Sequence, residues 1–546
     1  MWWRRGKASQ RLGLRGLMSF SRKMPCSSGC FSASPHSEHS RSFIDSALAG
    51  SQAQLDTSAR AGVALSERAA YAAVRIKRLL QRLVTVIGPG IALYFLLFHG
   101  LADVSFLSAD EPRYAAIGRE MAWSGDWVTP RLNGEPWFEK PPLLYWMTAA
   151  AWTLGLRDEW AARLPVALLS AVFLVFFYWR LRTQFGHGPA FQSASILATT
   201  VGWVVYSNVA VTDIPLAATF GAAMLWAMPV AAGTRPPPLG VGVLLGLAML
   251  AKGLVPAVLA VPLVYFHRAQ WRRLLAMGVI AAAVALPWMV LATVRNGAQP
   301  FEELILKHHF ARFFGGEIHH ERPVWFYVPV LLGGLLPWTP ALVMLRARAG
   351  PAVAWSDERL RYFAAWAVFG FVFFSVSANK LPGYLLPILP AVAALIGLRL
   401  VWTRPLRMAV AAMLPLLVLG AAMLPEALED GLRSAPLRWG NFAWMAAAAA
   451  LGSFYPPAAV AGLALWAKLT VYPLIDEHLG ARKVWEEIRP KAAATCVEWV
   501  GRDWQYGLDY YAVPRLPSCD LEPRDWELVG EGGARPGVRK KSALPQ

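Results

Sequence analysis

The segment Lys140–Arg157, KPPLLYWMTAAAWTLGLR, decides how this chain sits relative to a membrane. Only 16 residues separate its two charged ends. As a helix at about 1.5 Å per residue they span roughly 24 Å, short of the ~30 Å hydrocarbon core. An interfacial or re-entrant helix is the expected reading. Length alone does not settle it, because the apolar run after Arg163 is barely longer. The decision sets the side of every later loop.

Composition supplies the setting. The chain has 546 residues, 56% hydrophobic and 16% charged, against about 25% charged in soluble domains. Apolar runs of spanning length recur along most of it, so the class is an all-α polytopic membrane protein. The net charge of +18 does not imply nucleic acid. Lys and Arg lie in short clusters between apolar runs, where positive-inside topology puts them, and not on one soluble face. Residues 1–70 are rich in Ser, Arg and Gly without an apolar period. They read as a disordered or mis-called N-terminal extension, with a transit peptide as the alternative. Cys26 and Cys30 in it have no partner set for a zinc site.

Charge placement then tests the two readings. Arg75, Lys77, Arg78 and Arg82 put the start of the first run, LVTVIGPGIALYFLLFHGL, on the cytoplasmic side. If Lys140–Arg157 does not cross, Arg180, Arg182, His267–Arg273, Arg346, Arg348, Arg399, Arg404 and Arg407 all fall inside. The loop 102–162, Asp213, Lys252, the His-rich loop after Arg295 and Lys380 then fall outside, with about thirteen crossings in total. A crossing would invert that pattern. The expected organisation is a membrane domain over 71–472 and an outer C-terminal domain with its tail over 473–546.

The outer side collects the groups that could do chemistry. Ionisable residues beside spans cost roughly 2.5–3.5 kcal/mol each at a helix centre and less at the interface, so they mark sites. Asp110, Glu111, Glu139 and Lys140 come from the first loop, Asp213 from VTDIP and Lys252 from LAKGLVP. ANKLPGY brings Lys380 and Tyr384, and the long loop brings His308, His309, Arg312, His319 and His320. Cations of this kind hold a phosphate, and a carboxylate accepts a proton from an incoming nucleophile. A lipid-linked phosphate with its tail in the bilayer suits such a site. An ion-pair network that merely orients loops is the plainer alternative.

The ordered motifs DEPRYAAIGREM, GDWVTPRLNGEPWFEKPPLLYW, TDIPLA, LAKGLVP, HFARF with HHERPVWFY, and NKLPGYLLPILP resemble the bacterial family 39-type glycosyltransferases. Within that group they look most like the lipid A 4-amino-4-deoxy-L-arabinose transferases, relatives of the protein O-mannosyltransferases. The resemblance implies a GT-C fold with about 13 transmembrane helices, amphipathic juxtamembrane helices in the first outer loop and a small periplasmic C-terminal domain. It also implies a bacterial inner-membrane location, with the N-terminus cytoplasmic and the site and C-terminus periplasmic. The partners it implies are an undecaprenyl-phosphate-linked sugar donor and a lipid A or other envelope acceptor.

Carried over by motif, Asp110 and Asp213 are the catalytic acids, with Glu111 beside the first. Lys140, Arg312 and Tyr384 hold the carrier phosphate, and Lys252 adds charge there. Glu139 with His309, or His308 in its place, is a candidate zinc position; no cofactor is otherwise required. The resemblance implies inverting transfer. Cys496 and Cys519 are a candidate disulfide in the C-terminal domain, two free thiols being the alternative. A flippase or transporter is the rival of another class, but no internal repeat is evident, and the acids lie at span edges on one side. The sharpest expectation is that Asp110 and Glu139–Lys140, the two ends of the first loop, meet in one cavity with Asp213 and Arg312.

Overall fold

Asp110 and Glu111 open a helix because carboxylates in a first turn complement its dipole, and Pro112 is tolerated there. In the computed structural model this is helix α2, Asp110–Ser124, closed by Gly125 in the left-handed conformation with its N–H on Met121 O. The structure describes residues 49–51, 71, 75, 87–229, 236–311, 322–346, 353–429, 440–530 and 535–541. The chain divides into two units, Met1–Thr85 and Val86–Gln546. The described residues of the first are helical.

After α1 (Ile87–Leu97) and α2, a hairpin of β1 (Arg131–Leu132) and β2 (Glu135–Pro136) projects from the first loop. Its turn residues Asn133 and Gly134 both have positive φ, the type I′ geometry that an Asn-Gly pair favours. Glu120 accepts both turn N–H groups, at 2.7 and 3.0 Å. The decisive segment becomes α3, Leu143–Thr153, a helix of 11 residues. It packs on α2 where Gly118 leaves room: a Cβ there would sit 2.6 Å from the Thr148 side chain.

Then follow α4 (Asp158–Phe185), α5 (His187–Thr199), α6 (Val201–Ser207), α7 (Asp213–Ala227) and α8 (Gly240–Lys252). Among the described residues five helices are long and apolar enough to cross a membrane, or seven if two bent pairs each count as one span. The remaining apolar runs fold as shorter pieces, among them α1, α7, α8 and Val255–Phe266. That is fewer long helices than the sequence suggested, because glycine and proline interrupt the runs. The helix Leu389–Arg399 is buried at every residue, as expected of a segment apolar on all sides. Its neighbours in the core include Trp203, Phe220, Trp366 and Ile388.

The all-α expectation needs one correction. Residues 481–541 form a small mixed unit in which β3 (Thr495–Val500), β4 (Trp526–Gly530) and β5 (Gly537–Lys540) make a three-stranded sheet in that order. The helices Ala481–Ile488 and Arg502–Tyr511 cover it around Val484, Ile488, Trp504, Leu508 and Leu528. Strands of four to six residues are too short for alternation to distinguish them from loop. This unit packs on the first loop: Arg119 donates to Tyr510 O at 2.7 Å and Arg482 pairs with Glu159 at 3.2 Å.

Candidate active site

The antiparallel pair α7 and α8 brings two charges together by construction. Asp213 stands in the first turn of α7 and Lys252 is the last residue of α8, each at the helix end its charge favours. Their side chains meet at 2.7 Å and are about equally buried. The Lys252 ammonium also lies 4.6 Å from the centre of the Tyr384 ring, within cation–π range. Gly383 makes this approach possible. A Cβ there would fall 2.6 Å from Asp213 Oδ1 and 2.7 Å from the Tyr206 ring. The Tyr327 hydroxyl donates to Leu381 O at 3.1 Å and fixes the same turn.

A second group forms where the two ends of the first loop meet. Arg113, one turn into α2, forks between Asp110 and Glu139, the latter at 2.8 Å. Its Nε donates to Ala109 O at 2.9 Å. Lys140 pairs with Glu139 at 2.8 Å. Arg113 is almost fully buried, whereas the Asp110 side chain is 43% exposed, so Asp110 is the open end of the network. Burial alone would raise the Glu139 carboxyl, but Lys140 and then Arg113 outweigh it and hold it well below the usual carboxylate range. Burial likewise disfavours the Arg113 cation, and Glu139 and Asp110 more than compensate. Tyr206 lies in the field of both Asp213 and Asp110 and joins the two groups.

Other expected residues have different settings. Glu111 faces away from Asp110 into the core, where it makes a two-pronged pair with Arg163, both bonds at 2.7 Å. It also accepts from Ala210 N at 2.8 Å and Leu107 N at 3.1 Å. The remaining Arg163 donors hold the carbonyls of Leu101, Val104 and Ser105. Glu111 therefore anchors the loop. Lys380 donates to the carbonyls of Arg322, Ser377 and Ala378, closing the end of the helix Glu358–Val376. Arg312, His319, His320 and the His309 side chain lie outside the described residues. Cys496 and Cys519 are joined by a disulfide.

The candidate zinc position is described only in part, because the His309 side chain lies outside the described residues. The Glu139 carboxylate there is paired with Lys140 and Arg113. His308 lies within its field. Among the described residues no three His, Cys, Asp or Glu side chains group as ligands.

Sequence reading missed the roles of Arg113, Tyr206 and Tyr327. Arg113 is one of many charges in its loop and differs from them only through its three-dimensional neighbours. Tyr206 and Tyr327 look like interfacial anchors beside apolar runs.

A family model described as dolichyl-phosphate-mannose-protein mannosyltransferase matches residues 139–294, a stretch that holds Glu139, Lys140, Asp213 and Lys252. An undecaprenyl phosphate-alpha-4-amino-4-deoxy-L-arabinose arabinosyl transferase of Pseudomonas aeruginosa (strain UCBPP-PA14) is 31% identical over 313 residues, 54% of this chain and 55% of that protein. Transferase 1 of that name from Pseudomonas fluorescens (strain Pf0-1) is 31% identical over 335 residues, 57% of each chain. The chain thus spans about half the length of the curated relatives it matches. The crystal structure of ArnT from Cupriavidus metallidurans bound to undecaprenyl phosphate superposes with a TM-score of 0.63 at 24% identity, covering 81% of this chain and 92% of that one. Its apo form gives the same TM-score over 83% and 93%. The fold is shared with those structures, and over half its sequence the chain is similar to the arabinosyl transferases.

Proposed function

We propose that the protein transfers a sugar from a polyprenyl-phosphate-linked donor to an acceptor in the cell envelope, a lipid A phosphate being the acceptor that its likeness to the arabinosyl transferases favours. The observation that carries this is the half-open Asp110 carboxylate, held by a buried arginine beside a second cluster of Asp213, Lys252 and Tyr384. A donor phosphate is held by Lys140, Arg312, Tyr384 and Lys252 while its charge develops as the glycosidic bond breaks. The acceptor oxygen attacks the anomeric carbon from the opposite face, with inversion. Asp110 orients that oxygen, or takes its proton where it is a hydroxyl. A phosphate acceptor is already anionic and needs little base catalysis. Asp213 holds Lys252 in place.

The proposed setting is the bacterial inner membrane, with a cytoplasmic N-terminus and with the site and C-terminal unit periplasmic. The five long helices, two bent pairs, four shorter apolar helices, the α5–α6 pair and Gly440–Phe454 would each cross once, thirteen in all. The helix α3 lies along the interface.

The match to a protein mannosyltransferase model supports a protein acceptor as the second reading. Mass spectrometry of lipid A from a strain lacking the gene separates the two. The proposal expects the sugar increment on a lipid A phosphate to disappear and to return on complementation. An unchanged lipid A with altered envelope proteins favours the second reading.

A further inference from the structure

The C-terminal unit reaches the catalytic network through one aromatic ring. Tyr506, on the helix Arg502–Tyr511, lies with its ring centre 5.1 Å from the Arg113 guanidinium carbon. Trp137 and Tyr114 are near the same guanidinium at 5.7 and 5.8 Å, so Arg113 sits in an aromatic enclosure with Asp110 and Glu139 as its hydrogen-bonding exits. Arg502 approaches the same Tyr506 ring at 5.6 Å. The helix that carries Tyr506 is itself fixed to the first loop. Tyr510 O accepts from Arg119, and the Tyr511 hydroxyl bonds both Glu159 and Phe106 N.

The physical consequence follows from the geometry of a guanidinium. Its donors lie in one plane, so an aromatic ring packed against it restricts rotation without consuming a donor. Arg113 must hold its plane to serve Asp110 and Glu139 together. Two of its three aromatic neighbours come from the first loop and the third comes from nearly 400 residues further along the chain.

We propose that Tyr506 is a positioning residue for the reaction: it fixes the plane of Arg113 and thereby the direction of the Asp110 carboxylate, so that the C-terminal unit completes the active site. The proposal rests on the transferase reading given above. It acts through the ring and not through the phenol, since the geometry invokes only the ring.

The test compares full-length Tyr506→Phe and Tyr506→Leu with wild type in proteoliposomes. The donor probe is undecaprenyl-phosphate-linked 4-amino-4-deoxy-L-arabinose and the acceptor is lipid A. Tyr506→Phe keeps wild-type kcat. Tyr506→Leu, which is smaller and has no π face, lowers kcat about ten-fold, between the exposed and the desolvated size of a cation–π contact, with the KM for donor little changed. Wild-type kcat in Tyr506→Leu, or equal losses in both variants, overturns the proposal. Hydrogen exchange gives a second readout that needs no turnover. In Tyr506→Leu, and not in Tyr506→Phe, the α2 turn that begins at the Arg113 N–H exchanges faster, because the Arg113 side chain also holds Ala109 O at the start of the helix. Unchanged exchange overturns the positioning role even if the protein transfers no sugar from this donor, whereas inactive wild type with the predicted exchange pattern counts against the transferase reading alone.

Discussion

Asp110 and Glu111 are adjacent carboxylates with opposite settings. Asp110 is half open and tied to Arg113; Glu111 is closed off and tied to Arg163, with side chains only 2% and 4% exposed. Removing one partner of such a pair leaves a buried charge uncompensated, at a cost of about 3–5 kcal/mol. Glu111→Gln is therefore expected to lower thermal stability in detergent sharply and to lose activity through unfolding. A stable but inactive Glu111→Gln protein would return that residue to the chemistry. Asp509 gives a pH-dependent case outside the membrane helices. Burial raises its carboxyl to about 6 from an ordinary 3.8, despite Arg515. The folded state thus holds this proton more tightly than the unfolded state. Its contribution is intact below pH 4, falls as pH rises from 4 to 6, and stays lost above that. Asp509→Asn is expected to be more stable than wild type at pH 7, on the order of 1–3 kcal/mol, and to match it below pH 4. Thermal unfolding across that range checks the sign. Reading the sequence found Asp110, Glu139 and Lys140 because charges are rare in so apolar a chain. It did not separate Glu111 from Asp110, because neighbours on a helix point about 100° apart and only the packing tells which one is inside.

At the scale of elements, the antiparallel α7–α8 pair and the Gly383 turn build the second cluster. The motifs TDIP, AKG and LPGY are legible in sequence as charged or aromatic interruptions of apolar runs. Their mutual contact is not, since it depends on a turn with no room for a Cβ. Gly383→Ala would drive a methyl into Asp213 and Tyr206. It is expected to lower kcat at least ten-fold while the protein still inserts, and wild-type turnover would show that this turn is free to move. The short helix α3 was legible only from length taken together with the parity of the basic clusters. The three-stranded sheet at the C-terminus was not, because its strands are too short to carry a pattern.

For the whole molecule, one arrangement ties the first loop, the membrane helices and the C-terminal unit together. The parity of basic clusters gave a site on one face, and the meeting of Asp110, Arg113, Glu139 and Lys140 gives that site a structure. The contribution of residues 506–511 was out of reach of local pattern, since the contacts join segments separated by some 400 positions. The central claim is that Asp110 acts on the acceptor of a lipid-linked sugar transfer. Its most direct test is single-turnover transfer of 4-amino-4-deoxy-L-arabinose from undecaprenyl phosphate to lipid A in proteoliposomes, wild type against Asp110→Asn. Wild type is expected to transfer the sugar and Asp110→Asn to lose at least a hundred-fold, with both proteins inserted and equally stable; near-wild-type transfer by Asp110→Asn would rule out this role for Asp110.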